Sequence, residues 1–253
     1  MKTLLDFPIL IFIVSFVALW LCAWVGASFL GEYVPQSEQA TAAFSLVLTA
    51  TLTLLGLIIA FSFSMAIGRY DQRKNYEEAE ANAIGTEYVR TDLLPAPDGE
   101  KLRELLRLYL DQRVLFYTAR DEGQLRQVDA DTGRLQDELW SVVQARAVAA
   151  PSATVALAVS GMNDVLNSQG YTQAAWWNRI PVEAWILLGA IAVLCSLLIG
   201  YGARHTSILL FMVLPFAVSI SLFLIADIDS PHAGLIRVSP ENLVRLSQSI
   251  RQH

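Results

Sequence analysis

The sequence predicts an all-α polytopic membrane protein with four membrane-spanning helices and a helical cytoplasmic domain inserted between the second and third. Hydrophobic residues make up 54% of the 253 residues, and the mean hydropathy is +0.43. The excess is concentrated in runs of about 20 or more residues with almost no charge, which is the length that crosses a bilayer. No alternating strand pattern accompanies them. The four runs are 7–30, 43–68, 182–203 and 206–226.

The first run predicts an uncleaved membrane helix. A signal peptide is the alternative, because Lys2 precedes the run and small residues follow at 23–28. The apolar stretch is too long for a typical signal, and Trp20 and Trp24 would stand just before any cleavage site. Together with the second run it forms the first helix pair, residues 1–68.

The second element is predicted to be one long helix over residues 43–94. Its apolar part ends at Gly68, and Arg69 begins a polar part without any proline between them. At about 1.5 Å per residue, roughly 26 apolar residues reach about 39 Å, enough to cross a ~30 Å hydrocarbon core. Strong helix formers continue through Ala83, and Pro95 ends the helix.

The segment 69–181 is predicted to form the cytoplasmic helical domain. One helix is expected to start at 97–100 and run toward Ala119. The next is expected to be capped by residues 131–132. A third is expected to open at 151–152 and to end at 167–170.

The third and fourth spans are predicted within 182–226, followed by a tail at 227–253. Trp176 and Trp177 come just before the third span, which suits the aromatic belt at the headgroups. Pro215 lies inside the fourth span and is a candidate for a kink.

Basic residues predict the orientation. The loop at 31–41 has none, whereas 69–181 carries thirteen and the tail carries Arg237, Arg245 and Arg251. Positive residues remain on the cytoplasmic side. The sequence therefore predicts a multi-pass protein of a plasma or bacterial inner membrane, with both termini cytoplasmic.

No catalytic or redox constellation is present in the sequence. There is no glycine-rich phosphate loop, nucleophile motif or histidine–carboxylate grouping. Cys22 and Cys195 fall in apolar runs, and the three histidines, His205, His232 and His253, are scattered. The net charge of −6 argues against nucleic acid. We expect no enzyme, no zinc site and no cofactor, apart from the calcium considered below.

A cluster of three glutamates follows the second span. Glu77, Glu78 and Glu80 lie within four residues. A charged, solvated face of a cytoplasmic helix is the expected explanation for them.

Several short blocks resemble the signature of the bacterial bestrophin-like membrane protein family. They are GRYDQR at 68–73, EAEANAIGTEYVR at 78–90, DLLP at 92–95, DIDSP at 227–231 and GLIRV at 234–238. Together they bracket nearly the whole chain. The family in turn distantly resembles the bestrophin ion channels. The resemblance implies a pentameric ring whose second membrane helix lines an ion pathway.

The second span carries two stripes at helical spacing. Small residues form one stripe, and larger apolar residues form the other. Small residues either let neighbouring helices approach closely or face a shared pore. Resemblance to true bestrophins places a hydrophobic neck near Leu57 and Phe61. The small stripe is Thr49, Thr53, Gly56, Ala60 and Ser64, and the large stripe is Leu48, Leu52, Leu55, Ile59 and Phe63. The predicted pore-lining or gate residues are Thr53, Leu57, Ala60, Phe61 and Ser64.

An acidic pair, Asp227 and Asp229, follows the fourth span. Two carboxylates two residues apart can bind a hard cation such as calcium. They can equally cap the turn at Pro231, or pair with Arg69 and Arg73 at the same depth. Ion pairing or capping is the simpler interpretation.

The predicted function is an oligomeric ion channel whose pore is lined by the second membrane helix. The alternative is a non-conducting membrane scaffold or sensor whose helical domain binds a partner. The expected partners are membrane lipid, small inorganic ions and further copies of the same chain. Four helices of this composition cannot enclose a hydrated pore alone, so the channel requires an oligomer.

Overall fold

A computed structural model describes residues 7–30, 37–202, 208–232 and 234–252, without the side chains of 29–30 and 208–211. Most of the predicted outward loop, Lys2, His205 and His253 lie outside these residues. The described residues form eight α-helices and no strand. They are α1 (Pro8–Val25), α2 (Glu38–Arg90), α3 (Ala96–Thr118), α4 (Glu122–Ala149), α5 (Ala153–Trp177), α6 (Val182–Gly202), α7 (Ile208–Asp229) and α8 (Glu241–Arg251).

Four described stretches are long and apolar enough to cross a membrane. They are Pro8–Ser28, Glu38–Leu93, Ala153–Gly202 and Met212–Asp229. The all-helical class and the four spans predicted from the sequence are therefore confirmed, and the chain is a membrane protein. The predicted long second helix is also confirmed, since α2 runs unbroken from Glu38 to Arg90.

The chain divides into two compact units. One, here called the span unit, comprises Met1–Arg69 and Arg179–Ile236. The other, here called the helical unit, comprises Tyr70–Asn178 and Arg237–His253.

In the span unit, α1 packs against α6 and α7. A π-helical turn over Gly26–Leu30 continues α1. A β-carbon on Gly26 would overlap the carbonyl oxygen of Leu197, and one on Gly200 would overlap that of Ala23. The C-terminal end of α1 with its π-helical turn and α6 therefore meet backbone to backbone, which only glycine permits at these two positions.

The helical unit has an apolar core built from α2, α3, α4, α5 and α8. Tyr109, Leu139 and Met162 are fully buried there. α3 begins and ends within one residue of the predicted positions. Because these helices have amphipathic faces, most of their stability comes from this shared core rather than from local propensity.

Two predicted helix boundaries in this unit are wrong. Asp121, not residues 131–132, caps α4, and its side chain accepts the N–H of Gln124 at 3.1 Å. Residues 131–132 lie inside α4, where buried Thr132 faces the core. The predicted start of α5 at 151–152 is confirmed: Ser152 is the N-cap, and its side chain accepts the N–H of Val155 at 3.2 Å. That helix nevertheless continues past residues 167–170 to Trp177.

The headgroup position predicted for Trp176 is also wrong. Its ring is buried in the helical unit and makes edge contacts with Phe116 and Tyr117, at centroid distances of 4.9 and 5.4 Å. Because burial of a large aromatic ring contributes strongly to stability, this contact accounts for the continuation of α5 past its predicted end at 167–170. Trp177 is 74% exposed, and its place in the headgroup belt stays a prediction.

Candidate functional site

The five residues predicted to line a pore all lie on the uncovered side of α2. Leu57 and Phe61 are 50% and 60% exposed. The other three, Thr53, Ala60 and Ser64, are exposed too. Their three- and four-residue spacing brings them onto one helix face.

The opposite face of α2 packs into the span unit. Leu55, Ser62 and Ala66 are 2%, 3% and 0% exposed. At about 100° per residue they lie roughly opposite Thr53 and Leu57. The chain therefore uses one face of this helix for its own packing and leaves the predicted site face uncovered.

The uncovered face offers few polar groups to a ligand. The hydroxyl of Thr53 already donates to the carbonyl oxygen of Thr49 at 2.8 Å. No charged residue occurs between 43 and 68. This face therefore consists of apolar and hydroxyl side chains, and it carries no group suited to acid–base catalysis.

Asp229 lies where three parts of the span unit meet. Both of its carboxylate oxygens accept the backbone N–H of Ile180, at 3.2 and 3.1 Å. Its Oδ1 is also 3.6 Å from Nη1 of Arg69. The structure thus brings together Arg69 and Asp229, while Ile180 was not foreseen because a backbone N–H leaves no signal in the sequence.

Asp227, near the end of α7, anchors the loop segment 234–236. Its two carboxylate oxygens accept the N–H groups of Leu235 and Ile236 at 2.7 and 2.8 Å. A β-carbon on Gly234 would overlap the carbonyl oxygen of Asp227, so the loop also requires glycine at this point. Asp227 therefore acts as a backbone anchor here.

Among the described residues, no group of three or more histidine, cysteine, aspartate or glutamate side chains is placed to hold a metal ion. Arg73, the remaining residue of the predicted cation-binding or ion-pair set, is buried in the helical unit. A calcium ion at the acidic pair stays a prediction.

Two of the three clustered glutamates are buried, so the solvated-face prediction is wrong for them. Glu80 forms an ion pair with fully buried Arg113 and accepts the hydroxyl of Thr172 at 3.1 Å. Glu77 accepts the N–H groups of Asn242 and Leu243 at 2.9 and 3.0 Å. Their partners lie far along the chain, which local sequence reasoning could not supply.

Glu87 is a further buried acid that the sequence did not single out. It lies on α2 beyond the apolar run, and its side chain is fully buried. Arg90 is its ion-pair partner at 3.7 Å. Burial raises the pKa of Glu87 to about 8, although Arg90 acts in the opposite direction.

Comparison with known proteins agrees with this architecture. The sequence model of the Bestrophin-like domain matches residues 13–243. No curated protein matches the sequence.

The fold is similar to that of a bacterial bestrophin homolog from Klebsiella pneumoniae. The crystal structure gives a TM-score of 0.65 at 16% identity, covering 95% of this chain and 96% of that chain. A tryptophan-to-alanine variant of the homolog gives 0.67 at 13% identity, covering 95% and 94%.

Proposed function

This chain belongs to the bestrophin-like family, and we propose that it is an oligomeric ion channel whose pathway is lined by α2. The observation that carries the proposal is the uncovered face of α2. Only 6% of the residues in the most apolar stretch of this span are buried within the chain, against 50% for the fourth span. A ring of copies, five by analogy with bestrophin channels, would turn these faces toward one shared axis.

Leu57 and Phe61 are the proposed gate of this channel. In a ring, each would place one apolar side chain per copy at the same level. A narrow apolar constriction expels water, and an ion crossing it loses hydration without gaining ligands. Thr53, Ala60 and Ser64 would line the wider parts of the pathway.

The orientation is part of the proposal. We place the helical unit and both termini in the cytoplasm of a plasma or bacterial inner membrane, because thirteen basic residues lie in 69–181. Single cysteines at Glu38, Gln124 and Gln248, in a background lacking Cys22 and Cys195, test it with a membrane-impermeant reagent. In intact cells only Glu38→Cys should react, and reaction at Gln124→Cys would reverse the orientation.

Two measurements test conduction. Native mass spectrometry of the detergent-solubilised protein should give a closed ring, with five copies expected. Ion flux into liposomes containing the protein should exceed flux into empty liposomes.

The alternative is a non-conducting scaffold or sensor whose helical unit binds a partner. A monomer or dimer, or a ring whose flux never exceeds that of empty liposomes, would favour it over the channel. Neither function assigns a catalytic role to the chain.

A further inference from the structure

An apolar groove of about 460 Å³ lies at one end of the span unit. The first turns of α1 form one wall, and the loop held by Asp227 forms the other. Its volume is within the roughly 300–1,000 Å³ typical of sites for small ligands. The lining residues are Phe7, Pro8, Ile9, Leu10, Ile13, Asp227 and Leu235.

The loop presents apolar side chains outward although its backbone is firmly held. Leu235 is 73% exposed and Ile236 is 42% exposed. Both of their N–H groups are bound by Asp227, and Gly234 allows the loop to fold against the end of α7. Because these hydrogen bonds fix the backbone, the exposed position of Leu235 follows from the fold of the loop.

Asp227 adds little polarity to the groove itself. The residue is 1% exposed, and each carboxylate oxygen already accepts a backbone N–H. The surface that a ligand would meet is therefore hydrocarbon, which favours an alkyl chain over a polar or charged ligand.

The groove continues the apolar outer surface of α1. Ile9, Ile13 and Val14 are 62%, 51% and 46% exposed, and an exposed row of apolar residues continues along this helix as far as Trp24 and Val25. In a membrane-spanning helix such a row faces lipid or another copy of the chain, since water-soluble proteins rarely leave so much contiguous apolar surface uncovered.

The position of the groove is at the edge of the apolar layer. α1 begins its apolar run at Phe7, and α7 ends its run at Ala226, immediately before Asp227. Both ends line the same groove. The groove therefore lies where the hydrocarbon meets the headgroups, and Leu235 and Ile236 project at that level.

We propose that this groove seats an acyl chain of a phospholipid from the adjoining leaflet, with Leu235 and Ile236 inserted beside it. Asp227 is then a positioning residue that holds the loop in its inserting conformation. This assignment gives the DIDSP and GLIRV blocks one shared role, because the first supplies the carboxylate and the second supplies the inserted residues. It holds for a channel and a scaffold alike.

Spin labelling tests the insertion directly. Leu235→Cys is prepared in a background of Cys22→Ala and Cys195→Ala, labelled with a nitroxide and reconstituted in phosphatidylcholine vesicles. Val14→Cys on the exposed row of α1 is the lipid-facing control, and Val89→Cys, 66% exposed in the helical unit, is the control outside the apolar runs. Collisions with oxygen, which concentrates in hydrocarbon, are compared with collisions with a water-soluble nickel chelate.

The expected result is that residue 235 resembles residue 14, with oxygen collisions dominating. Collisions dominated by the nickel chelate, as expected at residue 89, would overturn the proposal because the loop would then lie in water. Strong spin–spin broadening at residue 235 would overturn it as well, because a second copy of the chain would then cover the loop.

A quenching experiment tests the groove and its depth. A fluorophore on Ile9→Cys, in the same background, is reconstituted with phosphatidylcholine brominated either near the headgroup or near the chain end. Headgroup-proximal bromine should quench severalfold more than chain-end bromine. Equal absence of quenching by both lipids would show that no acyl chain occupies the groove.

The role of Asp227 is tested by loop mobility. Asp227→Asn keeps one acceptor oxygen and loses the other, so the spectrum of the label at residue 235 should show faster motion and fewer oxygen collisions. Asp227→Glu, which keeps both oxygens, is the matched variant and should retain more of the order. If Asp227→Asn leaves both readouts unchanged, Asp227 does not position the loop.

Discussion

Oε2 of Glu87 occupies the space that a β-carbon on Gly161 would fill. The nearest nitrogen of Arg90 shares this space. A buried carboxylate, its cation and the bare backbone of α5 thus form one contact inside the helical unit. Neither carboxyl oxygen of Glu87 accepts a hydrogen bond from the described residues, so burial dominates the electrostatics of this group and the guanidinium of Arg90 offsets it only in part.

Gly161→Ala should destabilise the helical unit. The new methyl group would overlap both Glu87 and Arg90, and overpacking of a dense core costs about 1–3 kcal/mol. The apparent Tm of the purified protein measures the effect. Gly170→Ala is the matched control on the same helix, because nothing lies within 4 Å of its β-carbon position. That variant should be neutral or slightly stabilising, and an equal loss in both variants would contradict this account.

The stability of the helical unit should fall as pH rises. The pKa of Glu87 is raised from 4.5 to about 8, chiefly because burial disfavours the charged form. Arg90 lowers this pKa, and Asp164 on α5 raises it; these are the charged groups that act on it. The protonated form is favoured in the folded state, so its contribution is complete below pH 4.5 and is lost as pH rises to about 8.

The slope of this loss is at most about 1.4 kcal/mol per pH unit, which corresponds to one proton. Chemical denaturation at a series of pH values from about 5 to about 9 would measure it. Glu87→Gln should flatten this part of the profile, whereas Glu78→Gln, at an exposed position of the same helix, should not. An unchanged slope in Glu87→Gln would assign the pH dependence to other groups.

Leu57→Ala and Phe61→Ala should each increase ion flux in liposomes. Truncation widens an apolar constriction and lets water enter, which lowers the barrier for an ion. Leu55→Ala is the control because Leu55 is 2% exposed on the opposite face. It should cost about 2–5 kcal/mol of stability without raising flux. Flux that rises in Leu55→Ala but in neither of the other variants would place the pathway elsewhere.

Arg69 and Asp229 should be energetically coupled. Their side chains are 17% and 5% exposed, so solvent screens the pair less than it would at the surface. A double-mutant cycle with Arg69→Gln and Asp229→Asn should give a coupling of about 0.5–3 kcal/mol. Additive effects of the two substitutions would show that the 3.6 Å approach adds no net stability.

Calcium binding provides a separate prediction for the acidic pair Asp227 and Asp229. If Asp227 and Asp229 bind it, added calcium should raise the apparent Tm through binding to the folded state. The rise should vanish in Asp229→Asn. A Tm that is indifferent to calcium in the unmodified protein would leave backbone anchoring and ion pairing as the roles of these carboxylates.

The sequence predicted those parts of the fold that depend on local chemistry. The long apolar run and the helix formers beyond Arg69 were sufficient to predict α2 as one helix. The start of α5 at 151–152 was predictable because it depends on adjacent residues, and in the structure the hydroxyl of Ser152 caps the helix that directly follows it. The uncovered and buried faces of α2 were visible as two stripes, but spacing alone could not show which stripe the chain would cover.

The parts that could not be predicted depend on partners distant in sequence. Asp131 is a residue type preferred at helix N-caps, yet tertiary packing places it inside α4. From the local sequence Glu80 resembles a surface residue. In the fold, the packing of α3 places Arg113 beside it and both side chains are buried. Trp176 fits a membrane interface by position, but Phe116 and Tyr117 give it a core environment. In each case burial against another helix overrides the local preference.

The hydrogen bonds between Glu77 and α8 affect when this helix forms during synthesis. An isolated helix shorter than about 12–15 residues is marginal in water, and α8 has 11. Its first N–H groups are satisfied by a carboxylate 165 positions earlier in the chain. As this stretch leaves the ribosome, it should stay unstructured until α2 is in place to receive it. Translation and docking are therefore ordered in time, with α8 completing the helical unit only after the spans that separate it from Glu77 have been made.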